Sequence, residues 1–122
     1  MKRFLLLASV LALTACNREQ KYQTMVATGG GNVERGKQLI TQYGCNSCHV
    51  IPGIQGAKGM VGPPLDHIAS RQIIAGKLPN TPQNMMQWLQ NPQSIDPQNA
   101  MPNLGVKPDE ARDMTAYLVS LK

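Results

Sequence analysis

Apolar residues recur at spacings of three and four in three stretches of the chain. In the first, Val33, Gly36, Leu39, Ile40 and Tyr43 share one face of a helix predicted from Val33 to Tyr43. Asn32 is placed to cap its start, where its side chain can accept from a free backbone N–H, and Gly44 stops it. The second helix is predicted over Pro82–Gln90, with Thr81 as cap and Pro82 at the first helical position, where no donor is lost. Met85, Met86, Trp88 and Leu89 form its apolar side, and Asn91-Pro92 ends it because a residue before proline avoids the helical region. The third is predicted over Pro108–Leu121, with Asp109, Glu110 and Asp113 near the positive end of its dipole. Its buried stripe is Ala111, Met114, Tyr117, Leu118 and Leu121, and Gly36 and Tyr117 are expected where the first and last helices cross, the bare glycine letting the aromatic ring approach closely. A shorter helical turn is expected within Asp66–Ile74. No stretch reads as a strand, and no internal repeat is visible. The predicted class is all-α and loop-rich.

Ahead of these helices the pattern changes. Lys2 and Arg3 precede an uncharged run, Phe4 to Leu13, and then "LTAC". This is the order of a secretory signal peptide, and the run falls short of the roughly 20 apolar residues that span a bilayer. "LTAC" also resembles the lipobox of bacterial lipoproteins, which implies cleavage before Cys16 and lipid on its sulfur. The expected division is therefore 1–15 signal peptide, 16–31 tether and 32–122 folded domain. The tether reading rests on a polar segment without period that ends in Gly29-Gly30-Gly31; such a flexible segment reaches about 20 Å.

Charge and composition narrow the picture. The formal charge is +5, two units of which leave with Lys2 and Arg3, and no basic run reads as a nucleic-acid stripe. The balance suits solubility or a face for an acidic partner. A domain of some ninety residues is small for a self-sufficient core, and its aromatic residues are Tyr43, Trp88 and Tyr117 alone. A large flat cofactor would supply what the side chains do not.

The segment "YGCNSCHV" holds Cys45, Cys48 and His49 in the spacing C-x-x-C-H. A structural zinc site wants four ligands, usually from two separated pairs, and there is one pair here. A thiol–disulfide oxidoreductase would set its C-x-x-C within a strand–helix pattern and leaves the histidine unexplained. Covalent haem attachment explains every position: the two sulfurs add to haem vinyl groups, and the histidine becomes an axial ligand of the iron. Export agrees, because such haems are attached outside the cytoplasm, and with lipid on Cys16 all three cysteines are used.

With haem granted, the domain resembles the class I cytochromes c, and most of all the small cytochrome domains fused to subunit II of some haem–copper oxidases. The resemblance is carried in order by "ERGKQLITQYGCNSCH", "VGPPLDHIASR", "LPNTPQNMMQWLQNPQSI", "AMPNLGV" and "MTAYLVSL", which cover most of residues 32–122. It implies one covalent haem c per chain within the small all-α fold of that class.

The sixth iron position needs a second donor, and the candidates are Met25, Met60, Met85, Met86, Met101, Met114 and His67. Met85, Met86 and Met114 sit at core spacing on helices, where methionine serves as filler. His67 also reads as a surface loop residue. Met101 stands in a loop stiffened by Pro102, and the family's distal methionine occupies a like Met-Pro loop before the last helix. Met101 is therefore assigned. The Gly-Pro-x-Leu likeness of "GPPL" implies that the Pro63 carbonyl accepts from His49 and that Leu65 packs on the haem. Arg71 and Trp88 carry N–H donors that suit the haem propionates, against the plainer readings of a solvated arginine and a core tryptophan.

These residues imply a non-enzymatic one-electron carrier of a bacterial respiratory chain, monomeric and lipid-anchored on the periplasmic or external side of a membrane. Its partners are redox proteins, either respiratory complexes or soluble shuttles, and not nucleic acid. The alternative is an open sixth site serving a gas sensor or a peroxidase.

Overall fold

The computed structural model describes residues 16–56 and 59–122, so the expected signal peptide, 1–15, lies outside the described residues. Among the described residues four α-helices carry the fold: α1 over 16–27, α2 over Val33–Gln42, α3 over Pro82–Gln90 and α4 over Pro108–Leu118. The all-α expectation holds. Among the described residues the sheet is one small hairpin, β1 (Ile73–Ile74) antiparallel to β2 (Leu78–Pro79).

Each helix boundary has a local cause. The Asn32 side chain accepts from the Arg35 N–H at 2.9 Å and starts α2; such a cap contributes about 1 kcal/mol. Thr81 does the same for α3 through the Asn84 N–H at 3.1 Å. Glu110 reaches back to the Lys107 N–H at 3.2 Å at the start of α4. That helix ends at Leu118 rather than Leu121, because the Ser120 hydroxyl takes up the Tyr117 carbonyl at 2.5 Å and closes the turn.

Three expectations are corrected. The segment read as a structureless tether is helical over 16–27, and its glycines are a helix stop. Gly29 takes φ +66°, its N–H bonds to the Val26 carbonyl, and the Gly30 N–H bonds to the Met25 carbonyl at 2.7 Å, the paired bonds of a Schellman cap. Thr24 on α1 and Thr28 just after its end are buried, and Lys21 pairs with Glu34 at 2.8 Å. The short helical turn expected within Asp66–Ile74 is present as one 3-10 turn, Ile68–Ser70, but the segment ends in β1, where no strand was expected. The Asn80 side chain donates to the carbonyls of both Ile68 and Arg71 at 2.8 Å, and the chain then turns into β1 instead of continuing as helix.

The third correction concerns the helix crossing. Helices α2 and α4 do cross at Gly36, but a Cβ there would lie 2.5 Å from the Asp113 carbonyl carbon, and closer still to its oxygen. The glycine thus admits the α4 backbone, one turn before Tyr117, and not an aromatic ring. Tyr117 instead donates to the Pro52 carbonyl at 2.5 Å. The crossing is clamped by buried Asp113, which accepts from the Asn32 N–H at 2.8 Å and from Arg35 Nη1 at 2.6 Å. Around it the core gathers Leu39, Ile40, Ile51, Ile68, Ile74, Met85, Leu89, Val106, Met114 and Leu118.

Candidate functional site

Gly44 takes a left-handed φ of +71° at the end of α2 and turns the chain into a single 3-10 turn, Cys45–Ser47. The N–H groups of Cys48 and His49 both bond back to the Cys45 carbonyl, at 3.2 and 3.0 Å. One tight turn therefore brings Cys45, Cys48 and His49 to the wall of one cavity. Neither cysteine is paired in a disulfide, and burial pushes the Cys45 thiol up.

The chain then returns beneath the histidine. The Gly62 N–H bonds to the Cys48 carbonyl at 2.9 Å and the Leu65 N–H to the Val50 carbonyl at 2.8 Å. This pairing sets the Pro63 carbonyl 2.7 Å from His49 Nδ1. A carbonyl only accepts, so the proton belongs on Nδ1, and Nε2 is left with an available lone pair. Close approach requires Gly62: a Cβ at that position would stand 2.6 Å from His49 Nδ1 and 2.8 Å from Nε2. Arg71 Nη2 donates to the Pro64 carbonyl at 2.5 Å and to the Asp66 carbonyl at 3.1 Å, which pins the same loop.

Met101 belongs to the loop between the 3-10 turn Pro92–Ser94 and α4. Its N–H bonds to Asn99 Oδ1 at 2.8 Å, and its carbonyl accepts from Gln93 Nε2 at 2.7 Å. Met101 is half-buried and lines the cavity, as do the core methionines Met85 and Met114. The other candidate donors lie elsewhere. Met60 is 92% exposed, Met25 is exposed on α1, and His67 is exposed in a left-handed conformation outside the cavity lining.

The cavity measures about 620 Å³, within the roughly 300–1,000 Å³ usual for ligand sites. Cys45, Cys48, His49, Pro63, Leu65, Arg71, Trp88 and Met101 all line it. Leu65 and Trp88 are half-buried, and the Trp88 indole N–H makes no hydrogen bond to another described residue. Cys16 is exposed at the start of the described part of α1, away from this cavity. Two contributors escaped the sequence reading, Asn99 and Gln93, while Gly62 was quoted within "GPPL" without its role against the His49 ring. Asn99 carried a local signal, since asparagine two residues ahead of an N–H favours such a turn. Nothing local marked Gln93.

The cytochrome c family model matches residues 33–122. The chain belongs to the cytochrome c family. A cytochrome c2 of Agrobacterium tumefaciens is 32% identical over 107 residues, covering 73% of this chain and 91% of that protein. Two proteins named cytochrome c oxidase subunit 2, from Alkalihalophilus pseudofirmus and Bacillus sp., are each 33% identical over 89 residues, covering 72% and 70% of this chain. This chain spans about a quarter of the length of each of those two.

Members of the family are electron carriers, and the cofactor of this cytochrome is haem c, bound covalently and containing iron. The residues present fit that group. An apolar cavity of ligand size holds two thiols and an imidazole nitrogen with an available lone pair on one short turn, with thioether sulfur elsewhere in its walls.

Proposed function

We propose that this cytochrome is a one-electron carrier in a bacterial respiratory chain, held by lipid at Cys16 on the periplasmic or external face of a membrane. In this reading Cys45 and Cys48 would hold haem c through thioether links, and His49 Nε2 and the Met101 sulfur would hold its iron. Bound in this way, haem c would supply a one-electron couple and offer no place for a substrate. The chain's own residues keep it so. Pro63 holds the Nδ1 proton of His49, which orients the ring and raises the basicity of Nε2. Arg71 fixes the loop that carries Pro63, and this accounts for part of its donor capacity; its remaining N–H groups, with the Trp88 indole, are the proposed partners of the propionates. Leu65 and the surrounding apolar wall exclude water, which favours the reduced, less charged state.

One observation carries the reading: a histidine with its Nδ1 proton engaged and a methionine clamped at both its peptide groups line the same cavity. The respiratory placement draws on the likeness to proteins named cytochrome c oxidase subunit 2, and the export and anchor on "LTAC".

Carbon monoxide tests the sixth ligand. The reduced holoprotein is expected to ignore carbon monoxide at neutral pH, whereas Met101→Ala binds it and lowers the reduction potential. Axial ligands span roughly 0.8 V in haem proteins, so the fall should be large. Ready binding by the unaltered protein, or a Met101→Ala spectrum identical to it, would return the gas-sensor and peroxidase readings.

A further inference from the structure

We propose that Gln93 is the positioning residue that holds Met101 at its working place, an inference that rests on Met101 being the sixth ligand. Gln93 sits in the 3-10 turn Pro92–Ser94, whose start is fixed by buried Pro92 and by Asn91, whose side-chain oxygen accepts from the Ser94 N–H at 3.3 Å. From there its amide spans eight residues of loop to donate to the Met101 carbonyl at 2.7 Å. Asn99 takes the Met101 N–H at 2.8 Å from the other side. Both peptide groups flanking the Met101 side chain are thus held by amide side chains.

The two clamps differ in reach. Asn99 lies two residues from Met101 and itself lines the cavity, so its bond is local and moves with the loop. Gln93 lies outside the cavity lining and ties the loop to a separate element that follows α3 directly. The long-range bond is the one that resists swinging of the whole loop. Gln93 Oε1 supports the same view: it is buried without a partner among the described residues. Leaving an amide oxygen unpaired in the interior is unfavourable, and rotating the amide would set that oxygen against the Met101 carbonyl oxygen. The donor orientation is therefore the only one the site tolerates, and the side chain is retained there for its N–H.

An exogenous ligand reads the loop directly, because imidazole enters the oxidised holoprotein only when Met101 leaves. Gln93→Leu keeps much of the volume and deletes the donor. It is expected to raise imidazole affinity roughly tenfold, the factor for one hydrogen bond of ordinary strength lost from a buried carbonyl. Asn32→Ala, which removes a hydrogen bond at the start of α2 far along the chain, controls for general loosening and should leave that affinity unchanged. Thermal melting of both variants verifies that they fold. Unaltered affinity in Gln93→Leu, or an equal rise in Asn32→Ala, overturns the proposal. Met101→Ala separates the two levels: if it leaves imidazole affinity unaltered, the ligand assignment itself fails. If it raises affinity while Gln93→Leu does not, only the role of Gln93 falls.

Discussion

Gly62→Ala tests the histidine cradle with a single methyl group. Gly62 does not occupy the left-handed region, so alanine meets no backbone penalty there, and what the methyl touches decides the outcome. The new Cβ would lie 2.6 Å from His49 Nδ1 and 2.8 Å from Nε2, where ordinary contacts are about 3.5 Å or more. Ring and loop must separate by about 1 Å, which carries the 2.7 Å bond from Nδ1 to the Pro63 carbonyl past the usual limit for a hydrogen bond. Overpacking costs about 1–3 kcal/mol and the lost bond about 1 kcal/mol. Reduced freedom of the unfolded chain returns about 0.4–1 kcal/mol, so a net loss of about 2 kcal/mol is expected. For a domain of this size that lowers Tm by about 10 °C. Losing its acceptor also makes His49 a weaker donor to the oxidised iron, so the potential rises. The control is Gly29→Ala, at φ +66° with nothing within 4 Å of the new Cβ. It should cost about 1–2 kcal/mol through backbone strain alone and leave the potential unaltered. A Gly62→Ala holoprotein with the melting temperature and potential of the unaltered protein would refute the reasoning.

Three further outcomes are expected. Gly36→Ala drives a methyl into the α4 backbone at Asp113 and should cost about 1–3 kcal/mol in denaturant unfolding, against a helix-propensity gain of about 1 kcal/mol; a more stable variant contradicts the crossing. Cys16→Ser should leave the visible spectrum unaltered and move the protein from the membrane to the soluble fraction, and wild-type protein found without lipid refutes the anchor. Hydrogen bonds from the Tyr43 hydroxyl and then the Lys107 N–H hold the Glu110 carboxyl below its usual range. Its folded pKa is therefore lower than its unfolded one, and the stabilisation is complete above the usual glutamate range and lost as pH falls through the lowered value. Glu110→Gln should flatten the acid side of a plot of Tm against pH; an identical slope shows that the carboxylate contributes nothing.

Local sequence chemistry determined α2, α3, the start of α4 and the attachment turn. The ends of α2 and α3 follow from Asn32, Thr81, Pro82 and Asn91-Pro92, because caps and proline act within a few residues of themselves. C-x-x-C-H was legible for the same reason: its donors sit inside a single turn, and their spacing is their geometry. Met101 needed the order of family motifs as well, since three methionines line the cavity and spacing along the chain does not rank them.

Other features depended on partners far away in the chain. Gly29-Gly30-Gly31 reads equally as a flexible hinge or a helix stop, and the helix that it stops packs on the domain through Thr24, Thr28 and the Lys21–Glu34 pair. Gly36 announced a close crossing, but only the packed helices decided that a backbone carbonyl, not the Tyr117 ring, fills the space. Arg71 was offered to the haem propionates, and the folded loop turned part of it toward the Pro64 and Asp66 carbonyls. Gln93 lay in a polar loop like its neighbours until the fold brought the Met101 carbonyl within 2.7 Å of it. A side chain's donors are written in the sequence, whereas its acceptors are chosen by chain closure, which the local pattern does not encode.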